Sequence, residues 1–198
     1  GAMDPICCAW AAALERSALP HIALPREFLS GCMGQTPEAI GALAFPDAPR
    51  AEREAEMQKL YEYENELLCH CGGILYPRLP ETLAALAQKY ALFVVSNSQD
   101  GYVQAFLHWS GLTCLRDIEM AGRTGLDKGA NIRLVMERNG VTKAVYVGDT
   151  QGDADAAAKA GIPFIFTEYG FGSVKDAAAR IASLPELPAA VEKIFAEQ

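Results

Sequence analysis

The sequence predicts an α/β fold built on a parallel sheet, and three observations carry that expectation. From Tyr76 onward short apolar runs alternate with helical segments, the apolar runs stop at clusters of small or acidic residues, and two of the intervening helices end at Gly140 and Gly161. A chain of 198 residues suffices for one α/β domain, or for a core with a modest second lobe. Its 17 basic and 25 acidic residues give a net charge of −8, and no basic stretch is available to follow a phosphodiester backbone, so no nucleic-acid partner is expected. Nothing approaches the ~18 apolar residues of a membrane-spanning helix, and no charged-then-apolar signal opens the chain, so a soluble, cytoplasmic protein with no membrane partner is expected. Residues 1–5, Gly-Ala-Met-Asp-Pro, have the look of a tag remnant and are set aside from the fold.

Residues 6–72 read as a helical lobe. Helices are predicted over CAWAAALERSAL, near PREFLSG, over TPEAIGALAF and from about Ala48 to Cys69, with no strand-like run among them. In the last of these Met57, Leu60, Tyr61, Glu64 and Leu68 recur at threes and fours and mark the inward face, while Glu52, Arg53, Glu54, Glu56 and Lys59 occupy a solvated face. Gly72-Gly73 supply a flexible break before residues 73–198. There the reading is helix Pro80–Lys89, strand Leu92–Val95, helix Gly101–Trp109, strand Ile118–Met120 and helix Asp127–Asn139. Strand Ala144–Val147, helix Gly152–Ala160, strand Phe164–Phe166 and a helical tail from about Val174 complete it. The six cysteines are irregularly spaced and read as reduced, buried thiols; Cys69-His70-Cys71 lacks the paired spacing of structural zinc sites.

Chemistry concentrates at the strand ends. Val145, Tyr146 and Val147 suit a strand buried on both faces, and Gly148-Asp149 ends it four residues before Asp153 opens an alanine-rich helix. Two hard carboxylates beyond the carboxyl end of a strand suit Mg²⁺ held jointly with a phosphate; the same acids could instead cap the helix at its positive end. Ser96-Asn97-Ser98 place short polar side chains where another strand emerges, either as phosphate ligands or as a turn before Gly101. Lys128 stands at a helix start, where the macrodipole disfavours a cation, and so calls for a negative partner unless it is simply solvated.

In order, SNS, TGLDK and VGDTQGD resemble the second, third and fourth motifs of the haloacid-dehalogenase-like hydrolase superfamily. SNSQDGYVQAFL, KGANIRLVMERNG and AGIPFIF followed by YGFG point to its phosphoglycolate-phosphatase-like branch. The resemblance implies a Rossmann-like core over residues 73–198 with a helical cap lobe over 6–72. It further implies that Ser96 and Asn97 bind the phosphoryl group, that Lys128 neutralises it and orients the nucleophile as a catalytic residue with Ser96, and that Asp149 and Asp153 hold Mg²⁺. The implied substrate is a small phosphorylated metabolite, hydrolysed through an aspartyl-phosphate. In the cap, Arg26, Gln35 and Arg50 are polar candidates for substrate choice.

The family's first motif, an apolar strand ending in Asp-x-Asp-Gly-Thr, is absent from this sequence, and Asp4 is not given the nucleophile's role. The resemblance therefore implies little or no turnover by this chain. It also implies a sheet lacking its central first strand, with compensation by a rearranged N-terminus, by a partner chain through self-association, or by direct pairing of the flanking strands. The alternative is a non-catalytic protein that binds a phosphorylated ligand or protein. Dehalogenation is a third reading that the paired carboxylates disfavour.

Overall fold

The computed structural model describes residues 3–21, 23 and 25–197, with the side chains of Met3 and Pro5 outside the description. Its contacts divide the chain into two compact units. The first gathers residues up to Leu75 with Asn97–Thr113 and Ala121–Arg123; the second gathers Tyr76–Ser96, Cys114–Met120 and the chain from Thr124 onward.

The first unit is helical. It contains α1 (Met3–Leu14), α2 (Arg26–Gly31), α3 (Pro37–Ala44) and α4 (Arg50–Cys71). Helix α1 starts inside the segment set aside as a tag remnant, and Asp4 there forms an ion pair with Arg26. Thr36 caps α3 by accepting the Ala39 N–H, with Pro37 suited to the first helical position. The buried residues of α4 are Met57, Leu60, Tyr61, Glu64 and Leu68, the face its periodicity predicts. Of these, Met57, Leu60 and Tyr61 pack with Ile6, Trp10, Leu14, Leu29 and Phe45 into one apolar cluster. Gly72 ends α4 at φ +56, and a Cβ there would lie 1.8 Å from the Trp109 ring, so only glycine fits.

The second unit begins with α5 (Leu79–Ala87) and β1 (Leu92–Ser96), after which α6 (Tyr102–Ser110) belongs to the first unit. There follow β2 (Leu115–Met120), the single turn α7 (Ala121–Thr124), whose residues Ala121–Arg123 belong to the first unit, then α8 (Lys128–Arg138), β3 (Tyr146–Gly148), α9 (Gln151–Ala160) and β4 (Phe164–Thr167). Strand β5 (Ala179–Ile181), a 3-10 turn at Leu184–Glu186 and α10 (Leu187–Ala196) close the chain. The helical tail expected from Val174 is thus corrected: Ala179–Ile181 extend to pair with β4, and helix resumes only at Leu187, just before Pro188.

All strand pairs are parallel, as the α/β reading requires, but the strands form two sheets, β1-β2 and β3-β4-β5. Direct pairing of β1 with β3, one of the expected compensations, does not occur among the described residues. A side chain joins them instead: the Tyr146 hydroxyl of β3 donates to the Val95 carbonyl of β1 at 2.7 Å. Strand β3 was expected to be buried on both faces, and it is only partly buried, whereas all four residues of β4 are buried. A strand with a neighbour on one side only keeps more of its surface in reach of solvent.

Replacing Tyr146 by phenylalanine strips the Val95 carbonyl of this donor. The expected loss is about 1 kcal/mol, read as a lower urea midpoint at unchanged slope.

Candidate functional site

The site is organised around Asp153. Thr150 caps α9: its hydroxyl accepts from the Asp153 N–H, while the Asp153 carboxylate returns to the Thr150 N–H, a reciprocal capping box. Asp153 Oδ2 accepts from the Thr150 hydroxyl at 2.8 Å and from the backbone N–H groups of Thr150 and Asp149 at 3.0 and 3.1 Å. Its Oδ1 accepts from Lys128 Nζ at 2.5 Å. The capping and charge-pairing readings of these acids are therefore both realised, by one residue. Gly148 makes the approach feasible, because a Cβ there would lie 2.7 Å from the Asp153 carboxylate.

Lys128 opens α8 and is 9 % exposed. Asp127 precedes it as the helix cap, accepting the Ala130 N–H at 3.0 Å and pairing with Lys159 at 2.6 Å. The ammonium lies 6.0 Å from the Tyr146 ring centre, over its π face. The negative partner demanded by a cation at a helix start is thus Asp153. Burial alone would raise the Asp153 carboxyl, but the Lys128 charge and the hydrogen bonds from Lys128, Thr150 and Asp149 outweigh it and hold the group below the usual carboxylate range.

Asp149 is held by a segment that strand-end reasoning did not single out. Its Oδ2 accepts the Phe171 N–H at 2.7 Å and its carbonyl accepts the Gly172 N–H at 3.1 Å. Gly170 lies so close that a Cβ would sit 2.1 Å from the Asp149 Cβ. The two glycines of the YGFG run were the available signal, since close backbone approach requires them. Asp149 Oδ1 has no hydrogen-bond partner among the described residues.

Ser96 ends β1 opposite Met120 and is partly buried. The Tyr146 hydroxyl reaches the carbonyl of Val95, its immediate neighbour. Asn97 falls in the first unit, where its amide donates to the Gly34 carbonyl at 2.7 Å; its Oδ1 is buried without a partner. The structure therefore gathers Lys128, Asp149 and Asp153, ties β1 to the same strand through Tyr146, and commits Asn97 to a contact within the other unit.

Residues 4–167 match the family described as haloacid dehalogenase-like hydrolase. The chain belongs to that family. Among curated relatives, the phosphoglycolate phosphatase of Shigella boydii is 27 % identical over 164 residues, covering 80 % of this chain and 63 % of the relative. That of Escherichia coli K12 is 28 % identical over 131 residues, covering 63 % of this chain and 52 % of the relative. The chain thus spans less than two thirds of their length. Among solved structures, a predicted phosphoglycolate phosphatase of Haemophilus somnus superposes with a TM-score of 0.76 at 21 % identity, covering 96 % of this chain and 92 % of that one. CbbY from Rhodobacter sphaeroides, in complex with phosphate, gives 0.76 at 18 % identity, covering 96 % and 93 %. At those identities the structures establish the fold, and the phosphoglycolate phosphatases are proteins this haloacid dehalogenase-like chain is similar to.

The donor set decides how this family member could accommodate a divalent cation. Among the described residues no group of three or more His, Cys, Asp or Glu side chains converges as a metal cage. Both oxygens of Asp153 accept hydrogen bonds, whereas Asp149 has one oxygen with no hydrogen-bond partner among the described residues. With such a set Asp149 could hold a divalent cation shared with a phosphate and water, and Asp153 would act on it through Lys128 and the turn after β3. The cap candidates are engaged locally: Arg26 with Asp4, Gln35 with the Gly31 carbonyl at 3.0 Å, and Arg50 with Glu38 and Glu54 at 3.2 and 2.7 Å.

Asp153→Ala leaves Lys128 buried and unpaired, and the expected cost is about 3–5 kcal/mol in urea unfolding. A carboxyl whose folded pKa is depressed stabilises the protein above its unfolded value of ~3.9 and loses that contribution as pH falls toward the folded value. Stability of the wild type should accordingly fall through that acid window, and Asp153→Asn should flatten this part of the profile. Gly170→Ala should push Asp149 away from the Phe171 N–H, seen as loss of that amide's protection from hydrogen exchange.

Proposed function

We propose that this chain is the body of a Mg²⁺-dependent phosphohydrolase of the haloacid dehalogenase type. It would act on a small phosphate monoester such as phosphoglycolate or a sugar phosphate, and lack turnover without a segment supplying the nucleophilic aspartate. The observation that carries this reading is the buried Lys128–Asp153 pair beside Asp149 at the end of β3. In this reading Ser96 holds a phosphoryl oxygen, and Lys128, fixed by Asp153, offers its remaining N–H groups to the phosphoryl charge. Asp149 supplies the protein ligand for Mg²⁺, which when bound would neutralise negative charge on the transferring phosphoryl group. Residues 6–72 would serve as the cap lobe on a core formed by 73–198, and the cytoplasm is the proposed compartment. Among the described residues no helix is long and apolar enough to cross a membrane.

The nucleophile is what the sequence lacks, since no Asp-x-Asp-Gly-Thr occurs in it. The two separate sheets support the same reading. Among the described residues β1 and β3 each have one edge with no strand on it, and the Tyr146 side chain reaches from β3 to the Val95 carbonyl of β1, so an extended segment has two ladders to join. That segment would bring the aspartates to the level of Ser96 and Asp149. The missing motif also favours a second reading, a binding protein without turnover.

The test is hydrolysis of p-nitrophenyl phosphate with Mg²⁺ by this chain and by a version extended upstream with an apolar strand ending in Asp-x-Asp-Gly-Thr. Turnover is expected only in the extended protein, and Lys128→Met in that protein should lower kcat by about 10²–10³. Hydrolysis by the unextended chain would place the nucleophile elsewhere, and inactivity of both with phosphate still bound would favour the binding protein.

A further inference from the structure

Glu64 is a buried carboxylate for which the proposed chemistry has no use. It projects from α4, is 4 % exposed, and no lysine, arginine or histidine pairs with it among the described residues. Its Oε2 accepts from the Trp10 indole at 2.5 Å and its Oε1 from the Gln99 amide at 3.1 Å. The titratable groups that feel it are Tyr61 of the same helix and Tyr102 of α6. Burial first and the Glu64 charge second push both hydroxyls up, that of Tyr102 to about 12. Burial likewise raises the Glu64 carboxyl, against the two hydrogen bonds.

Burying an ionisable group is costly and is offset only by the bonds it makes, and besides the Trp10 indole those bonds lead to one loop. Gln99 lies in the segment Asn97–Gly101, which follows Ser96 directly in the chain. The same Gln99 amide reaches Asn65 Oδ1 at 3.2 Å, and the Asn65 amide donates to the Asp100 carbonyl at 2.9 Å. Gly101, at φ +90, has no room for a Cβ, which would meet Asn65 Nδ2 at 2.5 Å. Opposite, the Gly122 N–H donates to the Ser98 carbonyl at 3.0 Å, and a Cβ on Gly122 would lie 2.5 Å from Gln99 Cα. Adjacent residues of α4 and the turn at Gly122 thus clasp this loop at successive peptide units.

We propose that Glu64 is a positioning residue for the loop Asn97–Gly101, setting through Gln99 the chain that leaves Ser96, and that its ionisation state is transmitted to that loop. The part concerning phosphate rests on the reading of Ser96 given above. The relay runs Trp10 to Glu64 to Gln99, so a proton gained by Glu64 Oε1 turns an acceptor of the Gln99 amide into a donor and requires Gln99 to rotate. Asn65, which shares the amide, then loses its bond as well.

The test is a pH titration of the whole ¹⁵N-labelled chain, followed by orthophosphate binding with Mg²⁺. The Trp10 indole N–H and the backbone amides of Gln99–Gly101 should shift with one shared midpoint, above the ordinary glutamate range. Glu64→Gln should abolish that shift while amides of β4 stay in place, and should weaken phosphate binding about three- to tenfold. Gln99→Ala should leave the Trp10 titration and remove it from the loop. Titration of Trp10 without the loop amides in the wild type would overturn the proposal. So would unchanged phosphate affinity in Glu64→Gln where Ser96→Ala weakens it. If Ser96→Ala has no effect, or the chain binds no phosphate, the reading of Ser96 fails, and the shared titration alone decides for or against Glu64.

Discussion

The arrangement at the end of β3 depends on one buried ion pair, Lys128 with Asp153. Each partner would be expensive alone: a lysine at a helix start opposes the dipole, and a carboxylate at 4 % exposure is cut off from water. Together they fasten the first turn of α8 to the first turn of α9, and the remaining carboxylate oxygen closes the turn after β3. Two helix starts and one strand end are thereby fixed by one carboxylate and its partners. Both oxygens of Asp153 are engaged in this way, Asp149 keeps one oxygen with no hydrogen-bond partner among the described residues, and the two acids thus sit in different environments.

The second constraint is the interruption of the sheet. Parallel sheets in α/β proteins are ordinarily covered on both faces and continuous across the strand-order switch where ligands bind. Here β1-β2 and β3-β4-β5 form separate ladders, and a tyrosine hydroxyl stands where peptide groups would pair. The consequence reaches the site, since partial exposure of β3 follows from its open edge and β3 carries Gly148 to Asp149. Stability and chemistry meet at the same location, so a segment that paired with both edges would affect both.

Much of this was legible in the sequence where the determinants are local. The inward face of α4 follows from its spacing, and α9 follows from the alanine-rich run that Asp153 opens. Lys128 was legible because electrostatics at a helix start requires a partner. The strand Ala179–Ile181 was not, because a three-residue Ala-Arg-Ile run shows no usable alternation and becomes a strand only by pairing with β4. The hold of the YGFG segment on Asp149, and the turn of the Asn97 amide toward Gly34, are likewise tertiary: each joins residues far apart in sequence. Glu64 fits the apolar stripe by position and violates it by chemistry, and the structure supplies the reason in Trp10 and Gln99.

The most direct measurement of the central claim is calorimetric titration of orthophosphate into the chain, with and without Mg²⁺, for the wild type, Lys128→Met and Asp149→Asn. A phosphate site built from these residues predicts binding that strengthens with Mg²⁺, weakens on loss of the Lys128 charge, and loses its Mg²⁺ dependence in Asp149→Asn. Binding that ignores Mg²⁺ and both substitutions would contradict the assignment of the site to the end of β3.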